Sequence, residues 1–311
     1  MASRILALAH HLPEAQVVGG VVRPIQTEPA GPSDLAVAAT AGALARSSTS
    51  LADVDFIVFA TMTPDVTFPG AACFLQDKLG CDTIGALDIR GQCAGFLMSL
   101  MIADAFLSAG TYRRILLASA EVHSAGLDYS DHGIELASRY GDGSSVAILG
   151  YDERPGGIEA VVCHTDGRYY DRFWCESPAS RQHPTRLTVE NYRQGRHFPS
   201  LDAAAVRAFG VEHLPQVVRE ALDKADTSVE KVDCFILSHI LPEVAETSAA
   251  ALALPSSKVI VAGVSEGHLT AASLPVALSK GVEQGRLGPG SRVCLAACGA
   301  GFAWGAALLT L

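Results

Sequence analysis

No run in this 311-residue chain stays apolar over the roughly 18 residues that a membrane span requires. The short apolar stretch Ile5–Ala9 is too brief for the core of a signal peptide and reads as an edge strand. Basic residues are outnumbered: 23 Lys and Arg face 33 Asp and Glu, a net charge of −10. Such a chain repels phosphate backbones, which argues against a nucleic-acid reader. Charged residues are scarce at 18% and apolar ones make up 49%, so the chain can bury a large core and disorder is disfavoured. Eight cysteines are present (Cys73, Cys81, Cys93, Cys163, Cys175, Cys234, Cys294 and Cys298), but no two form a CxxC pair. Several lie in apolar patterns, as buried free thiols of a reducing compartment do. A soluble cytoplasmic protein is expected, with one large α/β domain or two of about 150 residues each.

What the chain does contain is an internal repeat. Val54–Ala60 and Val232–His239 are matching apolar runs that read as buried strands. Each is followed by a Pro-containing turn and an Ala-rich helical stretch, Gly70–Leu79 and Val244–Leu252. Second strands follow at Ile84–Ile89 and Lys258–Gly263. Gly91-Gln92-Cys93 then opens a helix to about Ala109, and Glu266-Gly267-His268 opens one to about Gln284. Third strands are expected at Arg114–Ser119 and Arg292–Ala297, each followed by a Gly-rich turn and another apolar strand. Two α/β halves, 1–155 and 156–311, are therefore expected to pack together, each with a mainly parallel sheet. The segment 156–207 has no counterpart in the first copy and carries seven arginines, Arg168, Arg172, Arg181, Arg186, Arg193, Arg196 and Arg207. Its turn-rich composition reads as an insertion or lid.

Three residues stand where chemistry is expected. Cys93 begins an apolar helix, whose unpaired N–H groups and positive potential lower a thiol pKa and can hold an oxyanion. A buried structural cysteine is the alternative. His239 ends a strand at its carboxyl edge, where sites form in parallel sheets. His268 mirrors Cys93 at an offset of 175 residues. A pseudo-twofold between the halves would bring the two helix starts together, as an activated thiol nucleophile requires. Gly141-Asp142-Gly143 reads as a tight turn, and Cys294 and Cys298 as core.

These motifs resemble the thiolase superfamily, and within it the β-ketoacyl-acyl-carrier-protein synthase III group. Gln92-Cys93-Ala94-Gly95-Phe96 is similar to the nucleophile motif, and Phe68-Pro69-Gly70-Ala71-Ala72-Cys73 to the stretch after the preceding strand. Gly267-His268-Leu269-Thr270-Ala271-Ala272 resembles the second catalytic helix, and Gly299-Ala300-Gly301-Phe302 the oxyanion loop. The resemblance implies a thiolase-like fold of layers αβαβα, acyl transfer to Cys93, and decarboxylative condensation with a malonyl thioester assisted by His239 and His268. It further implies an oxyanion hole from the N–H groups of Cys93 and Ala300. Substrate contacts would come from Phe68, Gly267, Gly299 and Gly301, with Phe68 reaching across a homodimer. Neither a metal nor a resident cofactor is implied, because the substrates carry coenzyme A or phosphopantetheine.

The chain departs from the group where Asn usually stands at 268, where His239-Ile240-Leu241-Pro242 replaces His-Gln-Ala-Asn, and where residues 12–50 lack the Arg-Thr-Gly-Ile segment and the Trp before it. These departures point to a specialised pathway and leave the donor open between acyl-CoA and an acyl carrier protein. Arg193 and Arg196 are candidates for docking an acidic carrier or a pantetheine phosphate. Two other readings remain: an acyltransferase that passes the acyl group to O, N or S without decarboxylation, and a non-catalytic partner subunit.

Overall fold

A computed structural model describes residues 2–311. Its first part runs β1 (Ser3–His11), β2 (Ala15–Val18), β3 (Val21–Pro24), α1 (Pro32–Ala45), β4 (Phe56–Ala60), α2 (Ala71–Leu79), β5 (Gly85–Ile89), α3 (Gly95–Ser108), β6 (Arg114–Glu121), α4 (Ile134–Ala137) and β7 (Gly143–Tyr151). The rest runs β8 (Gly157–Thr165), β9 (Phe173–Cys175), α5 (Val189–Arg193), β10 (Pro199–Leu201), α6 (Ala203–Lys224), β11 (Cys234–Ser238), α7 (Pro242–Ala251), β12 (Val259–Ala262), α8 (Ser273–Glu283), β13 (Arg292–Gly299) and β14 (Ala303–Thr310).

Two five-stranded sheets result, ordered β1-β7-β6-β4-β5 and β8-β14-β13-β11-β12. Position for position they are the same sheet. Only β7 and β14 run against their neighbours, and the other four strands of each sheet share one direction. Side chains alternate across the strands as a period of two demands. In β4, Ile57 and Phe59 pack with Ala36, Ala39 and Ala43 of α1 and with Ala72 and Leu75 of α2. Val58 packs on the other face, with Phe96, Leu97 and Leu100 of α3 and Leu274 and Leu278 of α8. The same inner cluster takes Ile236 and Leu295 from the second sheet, while Phe235 and Leu237 face α6 and α7. The layers are therefore α1/α2, sheet, α3/α8, sheet, α6/α7. Asp104 is the only charged residue of α3, as suits a helix half of whose residues are buried between the two sheets.

The non-repeated segment is shorter than the sequence implied. Gly157–Thr165 pairs along β14 as β1 pairs along β7, and α6 is a core helix of the second half. The stretch outside the repeat narrows from 156–207 to 166–202. An edge strand whose only partner lies about 140 residues away leaves no local sign of that pairing. Among the described residues, no helix is long and apolar enough to cross a membrane.

Candidate active site

The strands that run in parallel place their carboxyl ends on one side, and the candidate residues follow those ends. Cys93 comes after β5, Glu121 ends β6, His239 follows β11, His268 follows β12 and Gly299 ends β13. Gln92–Ala94 form one 3₁₀ turn leading into α3, and Thr270–Ala272 form another leading into α8. Gln92 (φ 50°) and Gly267 (φ 75°) each adopt a left-handed conformation one residue before Cys93 and His268. Thr270 (φ 47°) opens its turn as Gln92 opens the other, so the repeat sets Ala271 opposite Cys93, and His268 projects from the loop just before that turn. With α3 and α8 side by side, Cys93 Sγ lies 3.1 Å from His268 Nε2.

The backbone N–H groups of Ala300 and of Cys93 itself lie within hydrogen-bonding reach of the sulfur. Gly299 abuts that sulfur, and a methyl group there would overlap it. Gly299→Ala should therefore slow acylation of Cys93 by about 10²-fold, the scale of a misplacement near 1 Å, with the fold retained. Timed intact-protein mass spectrometry checks this, and an unchanged loading rate would show that the close approach is unimportant.

The expected lowering of the thiol pKa is not what the structure gives. Burial pushes Cys93 up to about 12, the nearby Glu121 carboxylate adds to the rise, and the two backbone N–H groups oppose it without prevailing. His268 is held well below its usual range by the same burial, with His123 and His239 adding to the effect. The pair rests as thiol and neutral imidazole. A helix start alone does not ionise a sulfur with this little water around it, and the group placed to accept its proton is the His268 ring at 3.1 Å.

His239 is also buried and pushed down to about 4, so its ring is neutral at neutral pH. The Leu241 N–H donates to its Nδ1 at 3.0 Å. The Leu241 carbonyl lies 3.2 Å from the same nitrogen, so Leu241 engages Nδ1 in either tautomer of the ring. The His239 Nε2 is buried without a partner. Nδ1 of His268 is likewise without a partner, so nothing fixes its tautomer.

Sequence reasoning passed over two buried groups here. Glu121, raised to about 7 by burial, accepts hydrogen bonds from the Thr61 and Thr63 hydroxyls, from the Met62 and Thr63 N–H groups and from the Ala271 N–H. It ties the loop after β4 to the turn that follows His268. His123, lowered to about 3 by burial, bonds the Thr270 hydroxyl at 2.8 Å. The available signal was position, since Glu121 ends the strand equivalent to β13. Gly141-Asp142-Gly143 is a brace, with the Asp142 carboxylate accepting from the Gln26 and Ser124 N–H groups.

A cavity of about 860 Å³ opens beside Cys93, lined by Gln92, Thr270, Ala300 and Gly301, by the loop from Thr61 to Gly70, and by Tyr170, Phe173 and Trp174 of the inserted segment. The other expected site residues are not all gathered there. Gly267 packs against the Tyr140 backbone. Phe68 is 79% exposed, outside the cavity of its own chain, although Thr67 and Pro69 line it. Arg193 lies exposed on α5, and Arg196 pairs with Glu176 at 2.9 Å beside a second cavity of about 390 Å³. The arginines on the wall of the Cys93 cavity are Arg90 and Arg186.

Two equivalent sheets around a shared helical layer, with a thiol on one half meeting an imidazole on the other, define a condensing enzyme of thiolase-like fold. The comparisons agree. Residues 87–167 match the family described as 3-oxoacyl-[acyl-carrier-protein (ACP)] synthase III, and residues 222–311 match its C-terminal region. A curated β-ketoacyl-[acyl-carrier-protein] synthase III from Ruegeria pomeroyi is 35% identical over 282 residues, covering 89% of this chain and 83% of that protein. The solved 3-oxoacyl-[acyl-carrier-protein] synthase III from Aquifex aeolicus VF5 superposes with a TM-score of 0.87 at 25% identity, covering 99% of this chain and 100% of that one. The priming β-ketosynthase of the R1128 polyketide biosynthetic pathway gives 0.89 at 26% identity, covering 99% and 96%. The chain belongs to the β-ketoacyl-acyl-carrier-protein synthase III family.

Proposed function

We propose that Cys93 attacks an acyl thioester, passes its proton through His268 to the departing thiol and holds the acyl group as a thioester. A malonyl thioester then loses CO2, and its α-carbon attacks the acyl carbon. The β-ketoacyl thioester leaves, and Cys93 recovers its proton. His239, with its proton on Nε2, donates to the malonyl thioester carbonyl and stabilises the enolate. His268 serves both steps because either ring nitrogen can carry its proton. The N–H groups of Cys93 and Ala300 hold the tetrahedral oxyanion. The thiol comes from the half 1–155 and the imidazoles from the half 156–311.

The observation that carries this reading is the 3.1 Å contact between Cys93 Sγ and His268 Nε2 beside the unpartnered Nε2 of His239. An acyl carrier protein or coenzyme A brings the substrates, with Arg186, Arg193 and Arg196 as the docking cations. A second copy of the chain completes the cavity. The open edge strand β5, with Val66 and Phe68 exposed on the neighbouring loop, supports that arrangement. The product serves a specialised pathway.

Incubation with acyl thioesters and then a malonyl thioester tests the reading. Acyl mass on Cys93 followed by CO2 release is expected. Loading without CO2 would make the protein a non-decarboxylating acyltransferase, and no loading from any donor would make it a non-catalytic partner.

A further inference from the structure

Glu121 lies fully buried at the end of β6, and the donors that converge on its carboxylate come from two separate segments. The N–H groups of Met62 and Thr63 and the hydroxyls of Thr61 and Thr63 belong to the loop after β4. The Ala271 N–H belongs to the turn that follows His268. Both segments border the reacting sulfur. Thr61, Met62 and Thr270 line the Cys93 cavity. Ala271 packs on the cysteine helix so closely that a Cβ on Gly95 would lie 3.1 Å from its own. A carboxylate only accepts, so it suits a ring of donors. A protonated carboxyl has to point its O–H at one of them, and a backbone N–H cannot accept it, so bonds of the network are lost.

We infer that Glu121 is a positioning residue that controls acylation: as a carboxylate it holds the cavity wall and the Thr270–Ala272 turn in register with Cys93, and on taking a proton it releases one from the other. The inference rests on the acyl-enzyme reading above and adds a control of that site. Burial raises Glu121 to about 7, so the network is complete above that pH and loosens below it. The other titratable groups of the pocket hold their charge state there. Burial keeps Cys93 up at about 12 and Tyr140 well above its usual range, and it keeps His123 down at about 3 and His268 well below its usual range. Asp142, beside the Gly143 that pairs with Glu121, is also raised by burial, but its carboxylate bonds Gln26 and Ser124 and neither segment. The Arg90 guanidinium reaches the Met62 carbonyl at 3.5 Å, on the far side of the loop from the carboxylate's bonds to its N–H groups.

The test follows acylation of Cys93 in the full chain by a saturating butyryl N-acetylcysteamine thioester, using intact-protein mass spectrometry from about pH 5.5 to about 8.5. The wild-type rate should rise about 10-fold around pH 7, a fraction of the about 10²-fold that a misplacement near 1 Å costs. Glu121→Gln cannot ionise, so its rate should be flat with pH and equal to the wild-type rate in acid. Thr63→Val removes the 2.7 Å hydroxyl bond that favours the carboxylate, so it should move the midpoint up by about one pH unit. A purely structural role would not move the midpoint, and this variant covers the case in which Glu121→Gln fails to fold. A flat wild-type profile, an inflection that survives Glu121→Gln, or a midpoint unmoved in Thr63→Val would overturn the inference while leaving acyl capture intact. If no thioester acylates Cys93 at any pH, it is the acyl-enzyme reading that fails, and this control falls with it.

Discussion

Cys93→Ala protein exposed to acyl thioesters gains no mass, and β-ketoacyl formation falls by at least about 10⁴-fold, the scale of losing a nucleophile that acts as part of a unit. The expectation follows from the surroundings of the sulfur. Its 3.1 Å contact is with an imidazole that burial keeps neutral, and two backbone N–H groups converge on it. No other thiol has that combination. Cys294 and Cys298 are both pushed well up by burial, and Cys175, though it lines the same cavity, contacts only the Ser177 and His197 carbonyls. Mapping of acylated peptides decides the matter. Acyl mass on any residue of the Cys93→Ala protein, at the wild-type rate, would move the chemistry elsewhere.

The two histidines should separate. His239→Ala should load acyl groups within about threefold of the wild-type rate yet release CO2 about 10³-fold more slowly, the upper range for deleting one preorganised donor. His239 makes no hydrogen bond to the sulfur, and its unpartnered Nε2 is the atom that the enolate would use. His268→Ala should impair both steps, because it removes the base from a thiol whose pKa is near 12, and loading should slow by about 10²-fold. Separate assays of acyl mass and of CO2 give the two rates for each variant. Equal losses in both steps for His239→Ala would end the division of labour.

Much of this was legible in the sequence, because a duplicated topology repeats its local signals. The matching turns and helix starts make Ala271 the counterpart of Cys93, so His268 meets the sulfur from three residues before the mirrored position. The apolar run 54–60 could be read as a buried strand because both its faces meet helices. What escaped depends on contacts remote in sequence. β8 looked like part of an insertion because its partner β14 lies far along the chain. The thiol pKa was misjudged because the helix start is a local feature, whereas desolvation comes from residues such as Gly299 and His268 closing over the sulfur. Glu121, His123 and Arg186 carry no motif. Their significance lies in which neighbours they lack or share, and only packing reveals that.

The shared middle layer also sets an order in time. α3 packs its buried face between the two sheets, and β8 joins the second sheet only through β14, the last strand in chain order. While the chain is being synthesised, the cysteine corner emerges about 175 residues ahead of its histidine, and the strand that anchors β8 emerges later still. Through that interval the thiol has neither its base nor its closed surroundings. On the proposed mechanism Cys93 would therefore become reactive only once the second half has folded against the first.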